Sequence, residues 1–209
     1  MLNRLVLPAA KLPETSLDPD WRVTLLVDAD PGMLPRQVET VETTAPLALP
    51  LPVYREAPLA ELSGQFAKIR TGGLVAEAVP PSSQVGEFLW TAAARRIPFK
   101  ATAGLHHPLR SVRALTYAID SPRAAMHGFV NVFAAAALAW NGMDLEHTVA
   151  LLEERDPSAF SFREDRFVWR HHSLTTQQVQ DARREFAHSF GSCSFEEPVT
   201  ELRELGWLP

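Results

Sequence analysis

Three cationic side chains on two short apolar segments pose the first chemical question. FAKIRTGG (66–73) carries Lys68 and Arg70 ahead of Gly72 and Gly73, and PFKATAG (98–104) carries Lys100, Thr102 and Gly104. Alternate residues of a strand share a face, so Lys68 goes with Arg70, and Lys100 with Thr102 and Gly104. Cations at strand ends, closed by glycines that let backbone amides approach, suit a phosphate or carboxylate. The anion-binding set expected is Arg70, Gly72, Gly73, Thr102, Gly104 and His107. Gly191, Ser192 and Ser194 of FGSCSFEEP (190–198) complete it, because a turn before a helix start presents amides and the positive end of the helix dipole. The competing reading pairs Lys68 and Arg70 with Glu39, Glu42 or Glu56 of neighbouring strands, an interior ion-pair network without catalysis.

Catalysis is assigned to Lys100, Lys68 and His106. A lysine desolvated inside a protein and crowded by a second cation has its pKa lowered, which supplies the neutral amine that attacks a carbonyl. Lys100 is that amine and Lys68 its neighbour. His106 follows the second strand and is placed there for proton transfer, and strand parity sets it with Lys100. His127 and the pair His171-His172 are further acid/base or ligand candidates. No HExxH or CxxC spacing is present, so no metal site and no cofactor are expected. Cys193 has no adjacent base in the sequence and reads as a buried small hydrophobe. Ser194 and Glu197 have the spacing of a capping box.

The elements that must hold these residues follow from periodicity. Val85, Phe88, Leu89, Ala92 and Ala93 recur at helical spacing between the two lysine segments, with Ser82 or Ser83 as cap. Strand, helix, strand without a hairpin turn predicts a parallel pair. Further strands are expected at 4–9, 22–29, 37–43, 50–57, 166–170 and 190–194, and helices at 109–119, 122–140, 144–154, 175–188 and 197–205, with Ser121-Pro122 starting the second of these. A polar face on strands otherwise bound for the interior fits a barrel better than an open sheet covered by helices on both sides. The fold expected is therefore α/β: a compact, incomplete or N-terminally truncated (β/α) TIM-like barrel, one domain over 1–209, with its chemistry at the C-terminal strand ends.

Composition narrows the partners. With 209 residues, a net charge of −5 and scattered basic residues, the chain lacks the footprint of a nucleic-acid or polybasic membrane binder. The longest apolar stretch, GFVNVFAAAALAW (128–140), is too short to span a bilayer and contains Asn131. A single cysteine and the lack of a signal-peptide pattern in MLNRLVLPAA fit the cytoplasm. The partner expected is a small anionic molecule; a homo-oligomer is compatible with the composition.

Two resemblances attach to these segments. KATAG (100–104) and KIRTGG (68–73) resemble the lysine-small-glycine motifs on adjacent barrel strands of deoxyribose-phosphate-type class I aldolases, in reversed order and without that family's acid/base aspartate. The resemblance implies lyase chemistry through a Schiff base. RTGG, PFKATAGLHHP, HGFVNV and FGSCSFEEP together resemble the signature segments of an uncharacterised bacterial family, many of whose members carry an additional N-terminal segment. That resemblance runs from Val6 to Leu208 and implies no activity. The function expected is an enzyme binding a small phosphorylated or carboxylated carbonyl compound, of aldolase, lyase or isomerase type. The alternative is a non-catalytic barrel remnant or subunit.

Overall fold

The computed structural model describes residues 4–62, 64, 66–194 and 196–209, so Met1–Asn3 and Phe195 of FGSCSFEEP lie outside the described residues. Two compact units divide the chain, 1–68 and 69–209.

The first unit is built on parallel strands: β1 (Leu5–Pro8), β2 (Val23–Leu26), β3 (Val38–Thr43), β4 (Val53–Arg55) and the start of β5 (Phe66–Arg70), hydrogen-bonded in that order. Parallel neighbours usually need a helical crossover. Here the links are proline-rich coil with 3-10 turns at Ala9–Glu14 and Leu59–Glu61, as the density of proline before residue 82 dictates. These links serve as the covering layer: Leu7, Leu12, Leu17, Leu34, Leu47, Leu49 and Leu51 pack on the core of Val23, Leu25, Val27, Val38 and Val41. The opposite face is polar. Thr24 and Thr40 share a hydroxyl hydrogen bond of 2.7 Å, and the register Glu42↔Tyr54↔Phe66 sets Glu42 and Lys68 on the same side.

The second unit is α/β. Its strands β6 (Phe99–Thr102) and β12 (Ala187–Gly191) pair in parallel. Between them come α1 (Ser82–Ala94), the hairpin β7 (Ser111–Ala114) and β8 (Arg123–Met126), α2 (Phe129–Trp140), α3 (Leu145–Glu153), the antiparallel meander β9 (Phe160–Phe162), β10 (Arg166–Trp169), β11 (His172–Thr175), and α4 (Thr176–Glu185); α5 (Glu196–Glu204) follows β12. Phe99 sits at the middle of the core, with ring centroids 5.0 Å from Phe186 and 5.7 Å from Phe88. Apolar all round, α2 buries most of its length. Gly86 lets α1 approach α3, since a Cβ there would lie 2.6 Å from Val149 Cγ2.

Several expectations change. Residues 109–119 form no helix: Ser111–Ala114 pairs with Arg123–Met126 instead, and the Thr116 amide bonds the Ser121 hydroxyl in the turn. The following helix therefore starts at Phe129 and not at Pro122, with Gly128 as its cap. Neither serine caps α1: Pro81 is its N-cap, and the buried Ser82 hydroxyl lacks a partner among the described residues. The strand expected at 190–194 lies at 187–191, leaving Ser192, Cys193 and Ser194 in a loop. No described helix is long and apolar enough to cross a membrane.

Candidate functional site

In the first unit, Lys68 is held between two carboxylates. Its Nζ is 3.3 Å from Glu42 Oε2 and 3.2 Å from Glu56 Oε2, and the Glu42 side chain is only 3% exposed. An ammonium so placed is compensated for its lost hydration. Glu39 does not join them; it takes Arg4 at 2.7 Å and Arg22 at 2.8 Å.

In the second unit, the residues after β5 and β6 are joined by backbone and hydroxyl bonds. The Thr71 amide donates to Thr102 O at 2.9 Å, its hydroxyl to Ala103 O at 2.6 Å, and the Thr102 hydroxyl to Ile69 O at 3.4 Å. A Cβ on Gly72 would lie 2.8 Å from Gly104 Cα, and one on Gly73 2.6 Å from Ala78 Cβ, so these glycines make room for protein. Lys100 is buried and Arg70 exposed. The parity that joined His106 to Lys100 ends at Thr102, because Ala103 and Gly104 both take left-handed backbone, φ 62° and 77°. For alanine that conformation costs about 1–2 kcal/mol, and strain of this kind gathers at functional sites.

The strained turn leads to the densest chemistry of the unit. The register Thr102↔Gly191 brings the loops after β6 and β12 side by side, His106 from one and Cys193 from the other. His106 Nε2 is 3.6 Å from Cys193 Sγ, and its Nδ1 is 3.0 Å from Glu197 Oε2. Partial burial pushes Glu197 up, but the bond from His106, the nearby Tyr117 and the charges of His106 and His107 outweigh it, so its carboxyl titrates below the ordinary value. A carboxylate there keeps the proton on Nδ1 and leaves the Nε2 lone pair facing the thiol. Next to it, His107 Nδ1 lies 2.7 Å from Glu201 Oε1, which Arg113 also contacts at 3.4 Å. Glu197 and Glu201 are one turn apart on α5, so one helix face grips both histidines.

Cys193 is therefore exposed and beside a base, contrary to the buried hydrophobe expected. The capping box is half formed: the Glu197 amide bonds Ser194 Oγ at 3.2 Å, while the Glu197 carboxylate turns to His106. Sequence reasoning missed this cluster because Cys193 and His106 are 87 positions apart, although the four-residue spacing of Glu197 and Glu201 against two adjacent histidines was a usable signal.

His127 has a structural role. It is fully buried, its Nε2 donates to Pro80 O at 2.8 Å and its Nδ1 accepts from Arg110 at 3.3 Å. Asn131 beside it accepts the Arg110 amide and donates to Leu151 O and Glu154 O, and a Cβ on Gly128 would lie 2.3 Å from its Oδ1. The segment HGFVN is thus explained by packing. His171 and His172 form another cluster with His147. Comparisons with protein-family models, curated proteins and solved structures gave no match.

Proposed function

We propose that residues 69–209 carry a thiol-dependent centre acting on the carbonyl or acyl carbon of a small anionic compound, with Cys193 as nucleophile, His106 as base and Glu197 as the group that fixes the imidazole. The observation that carries this reading is the line of Cys193 Sγ, His106 and Glu197 at 3.6 and 3.0 Å, the nucleophile, base and orienting acid of covalent catalysis. The thiol proton passes to Nε2, sulfur adds to the carbonyl carbon, and the carbonyl electron pair moves to oxygen. Collapse expels a leaving group that takes the proton from the imidazolium, and water then cleaves the thioester by the same route. Arg70, Lys100 and the 191–194 turn are assigned to the anionic part of the substrate. A Schiff base on Lys100 is the rival route for the same carbonyl class. The incomplete TIM-like barrel is proposed on the parallel register of every described pair in β1-β2-β3-β4-β5-β6-β12 and on His106 and Cys193 following the C-terminal ends of β6 and β12.

Alkylation with iodoacetamide across pH tests the thiol route. His106→Gln is expected to slow modification of Cys193 by about 100-fold near neutral pH, the scale of a lost general base. A rate equal to that of an ordinary exposed thiol and indifferent to His106 would discard it. In parallel, borohydride added to protein incubated with aldehydes, keto acids and sugar phosphates would place a mass increment on the Lys100 peptide if the amine were the nucleophile.

A second reading is favoured by one observation in the first unit. Lys68 between Glu42 and Glu56 supports a non-catalytic role there, in which the polar strand face is an ion-pair network.

A further inference from the structure

The geometry points to a transition-metal site of zinc class formed by His147, His171 and His172. One nitrogen from each ring can be chosen so that all three lie within 4.8 Å of one another. A tetrahedral zinc with bonds of about 2.0–2.1 Å needs its nitrogens roughly 3.3 Å apart, which small side-chain rotations supply.

Local structure explains why these three rings converge. His147 stands in the first turn of α3, whose N-cap Asp144 accepts its backbone amide at 2.8 Å and its Nδ1 at 2.8 and 2.9 Å. With Nδ1 committed, Nε2 is left as the ligand, and the carboxylate supplies the orienting partner that metal-bound histidines need. His171 and His172 come from the β10–β11 hairpin, closed by the pair Trp169↔His172 and turned through Arg170 at φ 52°. On a straight strand adjacent side chains would diverge. In this tight turn their ring centroids are 4.2 Å apart.

The hairpin is fixed from beneath. Glu154 receives Arg170 Nε at 2.8 Å and Trp169 Nε1 at 3.3 Å, and the Trp169 ring stacks on His172 at 5.4 Å and 12°. His172 Nε2 is buried and has no hydrogen-bond partner among the described residues. With the ring proton on Nδ1, a buried Nε2 of this kind can offer its lone pair to a metal. Three imidazoles this close bring ring nitrogens together at one point, and a divalent cation can take a lone pair from each. His147 and His172 also line a cleft of about 330 Å³ with Asn141, Ser173 and Gln178. A metal held by His147 and His172 would be reachable from this cleft by water or a small anion.

The test uses the full chain, stripped with a chelator and titrated with zinc chloride against a chromophoric competitor. One zinc per chain at micromolar affinity or better is expected, and no binding at that level overturns the site. Replacing His171 and His172 together by alanine should weaken binding by more than about 100-fold; Asp144→Asn, on an exposed cap where folding is safe, should weaken it by about 10–100-fold. Cobalt substitution should give tetrahedral visible bands without thiolate charge transfer. Zinc binding that survives these variants but disappears in Cys193→Ser would place the metal at the other histidine cluster and overturn the proposal.

Discussion

Two imidazoles in the second unit are gripped in the same way and face different third groups. Glu197 holds His106 by Nδ1 at 3.0 Å, and Asp144 holds His147 by Nδ1 at 2.8 Å. In both, the carboxylate fixes the tautomer and points Nε2 outward. What the ring meets differs: His106 Nε2 has a thiol 3.6 Å away, while the His147 ring lies beside those of His171 and His172, centroids 6.0 and 4.9 Å apart. A thiol has a proton to give, so the first arrangement is proposed as a base; neighbouring imidazoles can each turn a lone pair to a common point, so the second is proposed as a ligand set. The carboxylate-imidazole pair is a positioning device, and function is read from the third group.

The sharpest way to break this comparison is to exchange the readouts. Cys193→Ser should abolish site-specific alkylation and leave zinc affinity within about 2-fold, whereas the His171/His172 double replacement should lower zinc affinity by more than about 100-fold and leave the alkylation rate of Cys193 unchanged. Measured in one preparation by mass spectrometry and metal competition, a joint loss in either variant would mean that the clusters act as one. A smaller effect is expected from Glu197→Gln, which keeps the shape but no longer holds the proton on Nδ1. Alkylation should slow by about 10–100-fold with little change in melting temperature, and a matched loss in thermal stability would instead mark Glu197 as a structural residue.

Much of the framework was legible in the sequence, and the reason is local. The segments around Val23–Leu26, Val38–Thr43, Phe66–Arg70 and Phe99–Thr102 announce themselves by alternation, and α1 by its stripe at i, i+3 and i+4. The 109–127 region misled because Ser121-Pro122 has the chemistry of a helix start, while pairing between Ser111–Ala114 and Arg123–Met126 is a tertiary preference that no local signal carries. The partners of Lys68 were legible, since the sequence already offers Glu42 and Glu56 on neighbouring strands; the partner of His106 was not, because His106 faces Cys193 only through the parallel pairing of β6 and β12, far apart in the unit's sequence. Spacing can propose a zinc site when ligands share one helix or knuckle. It cannot when a helix start and a hairpin turn supply them separately.

His127 completes the comparison as an imidazole with both nitrogens already satisfied, and its effect should be the smallest and purely one of stability. Burial is the main cause that holds it below the ordinary 6.5, and the nearby Arg110 charge adds to this; the bond to Pro80 O and the charge of Glu153 oppose it. The folded protein therefore accepts a proton at His127 only at a lower pH than the unfolded chain does. Above about 6.5 both states are neutral and the full contribution is present; as pH falls from about 6.5 through the folded value, the unfolded chain is protonated first and stability is lost. His127→Gln can keep a donor for Pro80 O and an acceptor for Arg110 but has no proton to gain. Urea unfolding should show it less stable than the parent by about 1–3 kcal/mol at pH 7.5, the range for imperfectly replaced buried hydrogen bonds, with the gap narrowing towards pH 5. His172, also held low by burial and by His171 and His147, leaves a residual slope in both proteins. A gap that stays constant from pH 7.5 to 5 would mean that His127 does not titrate differently in the two states, and that its burial contributes packing alone.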